Sequence, residues 1–252
     1  MKRIGSIIFL CLLMFMGPKI QAAHENRNVS PFNGVSLKIS AELYITQGEK
    51  QFVNIDADAS TLENLIAEVK NHILIIRSTK NNFFSAREQN KNIKIYITCP
   101  DIFSLTVMGN GNIFNKSQIS SRILDLKIMG SGNIVISGLN SESVKGTIMG
   151  SGKISLASRK MANEFKLYIS GAGYYKGAEY PVKKADVKIS GSGNAVVNAT
   201  DDLDVHISGS GKVFYTGNPN LTTAVSGSGK VKELKTKDED YEINSMRPIK
   251  RQ

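Results

Sequence analysis

The chain has 252 residues, a formal charge of +10, two cysteines and no tryptophan. So few cysteines exclude a small disulfide-stapled scaffold, and the length allows one large domain or two small ones. The basic balance would draw the chain towards anionic polysaccharide, lipid headgroups or nucleic acid, but the lysines are spread out rather than gathered into a run, the pattern of a solubilising surface.

Residues 1–23 read as a secretory signal peptide. Lys2 and Arg3 give a basic start, residues 4–16 are apolar, and Gln21-Ala22-Ala23 supplies small residues for cleavage. The run is too short for a secure membrane span, so none is expected after cleavage; an uncleaved anchor is the alternative. Cys11 follows Phe9 and Leu10, where a lipoprotein signal would place small residues, so lipid attachment is not expected. Losing Lys2, Arg3 and Lys19 leaves +7 and one cysteine, Cys99. It closes the apolar run 93–99 and reads as a buried small hydrophobe.

Residues 29–101 differ in pattern from residues 102–234 and read as an N-terminal capping part. Residues 35–39, 43–45 and 52–55 alternate as strands, with Gln47-Gly48-Glu49 as a turn. Residues 60–69 are the one helix-like segment: Ser60 is placed as N-cap with Glu63 three positions on, and Leu62, Leu65, Ile66 and Val69 share a face. Residues 73–76 and 93–97 are further strands. Between them, 81–92 reads as a long polar loop containing Phe83 and Phe84.

From 102 to 234 the chain repeats. Gly-x-Gly begins at Gly109, Gly130, Gly150, Gly171, Gly191, Gly209 and Gly227, at intervals of 21, 20, 21, 20, 18 and 18 residues. A period near twenty is the mark of a stacked architecture. Flanking apolar residues keep one parity: Leu126, Ile128, Ile134 and Ile136 in one copy, Val187, Ile189, Ala195 and Val197 in another. By that alternation both glycines of each motif (the second ones being Gly111, Gly132, Gly152, Gly173, Gly193, Gly211 and Gly229) are expected to face the core at a corner with little room. The middle residues Asn110, Ser131, Ser151, Ala172, Ser192, Ser210 and Ser228 then point outward. So do Asn112, Asn133, Lys153, Tyr174, Asn194, Lys212 and Lys230.

Two all-β architectures fit. In a parallel β-solenoid each unit is one coil; in an antiparallel meander Gly-Ser-Gly is a hairpin turn that pairs Ile128 with Ile134. Near-constant spacing favours the solenoid, giving a single domain over 29–234 and then a charged tail, 235–252, expected to be flexible.

The repeated Ile128-Met129-Gly130-Ser131-Gly132-Asn133 and Ile189-Ser190-Gly191-Ser192-Gly193-Asn194 units resemble the auto-transporter adhesin, head GIN domain, family. Phe32-Asn33-Gly34-Val35, Leu43-Tyr44-Ile45-Thr46-Gln47-Gly48 and the region of Asn64-Leu65 are similar to that family's opening. The resemblance spans residues 32–234. It implies a right-handed parallel β-helix-like fold, export to the periplasm, cell surface or medium, and a binding role without catalytic residues. No series of membrane strands for an autotransporter barrel is expected after Leu234.

Candidate chemistry is sparse. His24, His72 and His206 lie far apart and without metal-ligand spacing, and no Gly-x-Gly has the context of a nucleotide site. No catalytic, cofactor or metal residue is assigned. Asp201, Asp202 and Asp204, with Lys183, Lys184 and Asp186 one coil away, are the basis of the alternative, a polysaccharide lyase or hydrolase on the same coil. A third reading is a structural envelope scaffold. The candidate surface is the polar ladder of Ser131, Asn133, Ser151, Lys153, Asn194, Lys212 and Lys230, together with Met108, Met129 and Met149. Those methionines precede the first glycine, at the place held later by Ser170, Ser190, Ser208 and Ser226, and would form an apolar stripe. Tyr174, Tyr175, Tyr180, Phe214 and Tyr215 form an aromatic cluster that either stacks on sugar or caps the core. Expected partners are a glycan or another envelope polymer, or further copies in a homo-oligomer; nucleic acid is not expected.

Overall fold

The structure, a computed structural model, describes residues 23–79 and 92–234. The expected signal peptide apart from Ala23, nearly all of the expected 81–92 loop and the expected tail lie outside the described residues.

The N-terminal strands are β1 (Ala23–Asn26), β2 (Gly34–Leu37), β3 (Glu42–Gln47) and β4 (Phe52–Ala57). After helix α1 (Ala59–Leu62) come β5 (Leu65–Lys70), β6 (Ile73–Ser78) and β7 (Lys94–Cys99). The repeats comprise β8 (Ser104–Gly109), β9 (Asn112–Asn115), β10 (Ile119–Gly130), β11 (Asn133–Ser137), β12 (Leu139–Gly150) and β13 (Lys153–Ala157). They continue with β14 (Ala162–Gly171), β15 (Tyr174–Gly191), β16 (Asn194–Gly209), β17 (Lys212–Thr216), β18 (Asn220–Ser226) and β19 (Lys230–Glu233).

Every repeat has a long arm that ends at the first glycine and a short arm that starts after the second. Long arms pair with long arms, in parallel and in register: Ile128 lies beside Ile148, and Gly130 beside Gly150. Short arms do the same, with Ile134 beside Ile154. The result is a β-solenoid of about six turns. It is not a meander, because Ile128 pairs with the next repeat and not with Ile134.

The core is a set of columns along the stack. In the long arms, Val107, Ile128, Ile148, Ile169, Ile189 and Ile207 follow one another, all buried. In the short arms, Ile113, Ile134, Ile154, Tyr175, Ala195 and Val213 do so. Bulk is matched to its absence. Phe165 stacks on Tyr175 at 4.5 Å and meets Tyr180 edge-on at 6.0 Å, while Ala185 and Ala195 stand beside these rings on the next rung. Tyr175 and Tyr180 therefore belong to the core, and burial pushes both phenols well up.

The corner glycines divide into two kinds. The second ones up to Gly211 are buried, as the alternation implies. The first ones are not core-facing. They adopt positive φ, from 109° to 135°, and a Cβ at Gly130 would point along the stack, 2.5 Å from the Gly109 carbonyl oxygen. The turn of the backbone at the first glycine is what breaks the simple alternation. Glycine carbonyls then join successive corners: Gly109 O accepts from Ser131 N at 3.0 Å and from Gly132 N at 2.9 Å. Those amides are thereby used up, so the corner is no phosphate cradle.

Order in the stack departs from order in the chain at the N-terminal end. The β2–β3 rung lies between β6–β7 on one side and β8–β9 on the other. β4 runs antiparallel to β7, β1 antiparallel to β4, and β5 antiparallel to β6. Antiparallel strands thus cover the edges at this end. The helix is shorter than its pattern predicts: it stops at Leu62 and is capped by Asp58, whose carboxylate accepts from Thr61 N at 2.9 Å. Leu65, Ile66 and Val69 belong instead to β5, because Asn71 and His72 take positive φ (51° and 60°) and fold β5 back onto β6 as a hairpin. Pairing along that edge outweighs a local helical pattern that offers only four apolar residues.

Candidate interaction surfaces

The two walls present different outer faces. On the short-arm wall, polar ladders satisfy one another. Asn133 Nδ2 donates to Asn112 Oδ1 at 2.6 Å, and at the corner Ser228 Oγ donates to Ser210 Oγ at 3.1 Å. Ser131 and Ser151 are exposed at the corner, and Asn194 is half-buried. Lys153 is only 8% exposed, with Nζ 5.2 Å from the Tyr174 ring centroid. Burial, and then the nearby Lys176, lower its pKa. Lys212 and Lys230 are exposed. Tyr174 and Val196 form a small outer cluster with Phe214, against which Leu234 packs.

The same wall carries an aromatic ladder that the sequence did not reveal. Tyr96, Tyr44 and Phe114 stack at 5.4 and 5.7 Å, with interplanar angles of 15° and 27°. Lys116 Nζ sits 4.2 Å from the Tyr44 centroid, and Tyr44 Oη donates to Glu42 at 2.8 Å. Burial and then the Glu42 carboxylate push the Tyr44 phenol up to about 12. The rings use their faces on each other, so this ladder is not a flat platform for sugar.

On the long-arm wall, ion pairs line the outer face, Lys166–Glu164 at 2.7 Å, Lys188–Asp186 at 3.2 Å and Lys184–Asp202 at 2.9 Å, and His206 Nε2 lies 3.1 Å from Asp204 Oδ1. Asp201 accepts from Thr200 Oγ1 at 2.7 Å. The three aspartates of the candidate enzyme site thus each have a separate partner. Lys184, donating to Asp202 beside Asn220, holds that carboxyl below its usual range, opposite to what a proton donor needs. Among the described residues no cluster of three His, Cys, Asp or Glu side chains could hold a metal. No helix there is long and apolar enough to cross a membrane.

Beside these pairs runs a groove of about 640 Å3, from Met149 to Ser226. One side is the column Met149, Ser170, Ser190, Ser208, Ser226; the other holds Thr147, Tyr168, Lys188, His206 and Ala224. The five rungs span about 19 Å at a strand spacing near 4.8 Å. The groove arises because serines are short where methionines stand on earlier rungs. Met129, in register with Met108 and Met149, is 37% exposed, and the N-terminal strands stack at the end of the coil instead of over this column. Of the residues singled out in the sequence as candidate surface, only Met149 lines the groove. Tyr168, Lys188 and His206 were missed; their common position, three before the first glycine, was the available signal.

A family model described as "Putative auto-transporter adhesin, head GIN domain" matches residues 31–219. Among solved structures, the chain is similar to a putative adhesin from Bacteroides fragilis NCTC 9343, with 23% identity, a TM-score of 0.77, and 86% of this chain and 99% of that one covered. It is also similar to a putative lipid binding protein from Parabacteroides distasonis ATCC 8503, with 21% identity, a TM-score of 0.70, and 85% and 97% covered. A putative adhesin from Parabacteroides merdae ATCC 43184 gives 20% identity, a TM-score of 0.67, and 85% and 97% covered. At these identities the likeness is one of fold. No curated protein matches the sequence. Corner motif, coil and family match agree, and the chain belongs to the auto-transporter adhesin, head GIN domain, family.

Proposed function

We propose that the protein is exported and acts as a non-catalytic, adhesin-like binder that lays an extended envelope polymer, a glycan chain foremost, along the long-arm groove. The observation that carries this reading is the groove itself, open over five rungs. Its hydroxyls recur at the rung spacing, so a ligand with its own repeat can make the same contact several times. Tyr168, Lys188 and His206 add apolar contact and hydrogen-bond donors on one side. Export is supported by the signal-like residues 1–23 and by β1, which begins at Ala23 where cleavage is expected.

The test is retention of the purified chain on immobilised glycans, compared with Ser190→Trp, which fills the groove, and Ser192→Trp, which lies at the corner outside it. Retention lost only in Ser190→Trp is the expected result. No retention of the parent chain on any glycan or matrix polymer removes the reading and leaves the scaffold. The apolar character of the groove favours one other ligand, an acyl chain, and one similar structure bears a lipid-binding name. Binding of fatty-acid vesicles, blocked by the same substitution, would decide for it.

A further inference from the structure

A second cleft opens at the other end of the long arms, where each short arm leads into the next long arm. The ladder is interrupted there. β11 and β13 are paired as far as Ser137 and Ala157, and β12 and β14 are paired only from Ser143 and Glu164 onward. The chain between these points is one residue longer on the later rung, 158–163 against 138–142. The extra length forms a bend at Arg159 and Lys160, both exposed. Ser158 fixes that bend: its Oγ accepts from Lys160 N at 2.9 Å and donates to Lys160 O at 2.7 Å. On its far side β14 closes onto β15 at once, with Ala162 beside Val182.

The opening is a cleft of about 890 Å3, a size that suits a small ligand or one or two units of a polymer. Its chemistry differs from that of the groove. Arg159 and Lys160 line it, and Glu179 is the one carboxylate beside them. Gln118 and Asn140 bring side-chain amides from the two earlier rungs. Asn198 brings a third; its Nδ2 donates to Ala178 O at 3.1 Å, which leaves Oδ1 to accept. Among the described residues the side chains of Arg159, Lys160, Gln118 and Asn140 make no hydrogen bond or ion pair. Lys166, Lys184 and Lys188, on the outer wall, each hold a carboxylate instead. A guanidinium offers a fork of donors that matches a carboxylate, and amides suit hydroxyl groups. Cations and amides side by side therefore describe a sugar unit that carries an acid.

We propose that this cleft is a second binding site, one that takes a carboxylate-bearing sugar of an acidic polysaccharide. The acid sits against Arg159 and Lys160, and hydroxyls meet Gln118, Asn140 and Glu179. The formal charge of +10 draws such a polymer in from a distance. The site is separate from the groove. Asn140 and Met149 both lie on β12, about 30 Å apart along the strand at roughly 3.3 Å per residue.

Isothermal titration of the purified chain with tetragalacturonate, with its methyl ester and with sialyllactose tests this. At least one of the two acidic sugars should bind, and the ester, whose acid is masked, should not. Arg159→Gln with Lys160→Gln should weaken binding about tenfold or more. The melting temperature should stay unchanged, because both side chains are exposed. Lys212→Gln with Lys230→Gln should leave the affinity as it is, and so should Ser190→Trp. Binding of neither acidic sugar overturns the proposal, as does equal binding of the ester. An equal loss in the Lys212 and Lys230 variant would reduce the effect to general charge attraction and overturn it. Inorganic phosphate bound as tightly as the sugar would make this a bare anion site, and loss in Ser190→Trp would move the sugar into the groove; either result overturns it too. The two sites fail separately: a chain that ignores neutral polymers and binds acidic ones here keeps this site and loses the groove.

Discussion

The Cγ2 methyl of Ile169 stands where Gly193, on the next rung, would carry a side chain: a Cβ at Gly193 would lie 2.5 Å from it and 2.9 Å from the Gly173 carbonyl oxygen. Gly193→Ala therefore overpacks a finished core, at a cost of about 1–3 kcal/mol. The first glycines fail differently. Gly130→Ala combines a positive φ with backbone contact, whereas a Cβ at Gly109 meets nothing within 4 Å and bears only the φ of 109°. Urea unfolding should rank Gly130→Ala as clearly more damaging than Gly109→Ala. Equal midpoints would show that the stack does not close over the corner.

The coil was legible because its cause is local and repeated. A period of about twenty, one apolar parity and paired glycines all survive in a linear reading. The phase of the first glycine was not legible, because a positive φ reverses the alternation without leaving a mark in composition. Tyr44 shows a second limit. It stacks between Tyr96 and Phe114 because the β2–β3 rung is enclosed by rungs that come later in the chain, so the ladder joins residues that no spacing relates. The groove was hidden for a third reason: it is made by what Ser170, Ser190 and Ser208 lack compared with Met108 and Met129.

Cys99 is buried, and burial, then the charge of Asp101, push its thiol up to about 12. The folded state thus keeps the proton that the unfolded chain releases near pH 8.5. Stability from this group is complete below that pH and falls as pH rises towards 12. Denaturation midpoints should drop steadily across this range, and Cys99→Ala should flatten the early part of the slope. Cys99 should also resist a thiol reagent at pH 8 until the chain is unfolded. Rapid labelling of the native protein would contradict its position.

Lys184 and Asp202 are a surface pair, and their partnership holds the Asp202 carboxyl low. Lys184→Gln should raise the Asp202 titration midpoint, followed by NMR, and leave the melting temperature unchanged, since exposed pairs add little to stability. Linkage sets the sign. A lowered carboxyl pKa contributes stability only above the unfolded value, and that contribution disappears as pH falls through the folded one. A large fall in melting temperature would mean that this face is braced by its ion pairs. Otherwise the pairs keep a long outer wall charged and soluble beside the groove.

The groove sets a length scale for the polymer proposed to lie in it. Its five rungs, from Met149 to Ser226, span about 19 Å at steps near 4.8 Å, and the last four of them carry the serine hydroxyls Ser170, Ser190, Ser208 and Ser226. Each further unit of an oligomeric ligand can reach one or more additional rungs until the groove is full, after which extra units hang in solvent. Affinity measured along a series of oligomers of one polymer should rise with length and level off once the oligomer exceeds this span. Ser208→Trp, which closes the groove part-way, should bring the plateau forward to shorter oligomers, with little change for the shortest ones that bind near Met149. If affinity kept rising in proportion to length well past the span, the ligand would be lying on another face, and the corner serines with Lys212 and Lys230 would be the surface to substitute next.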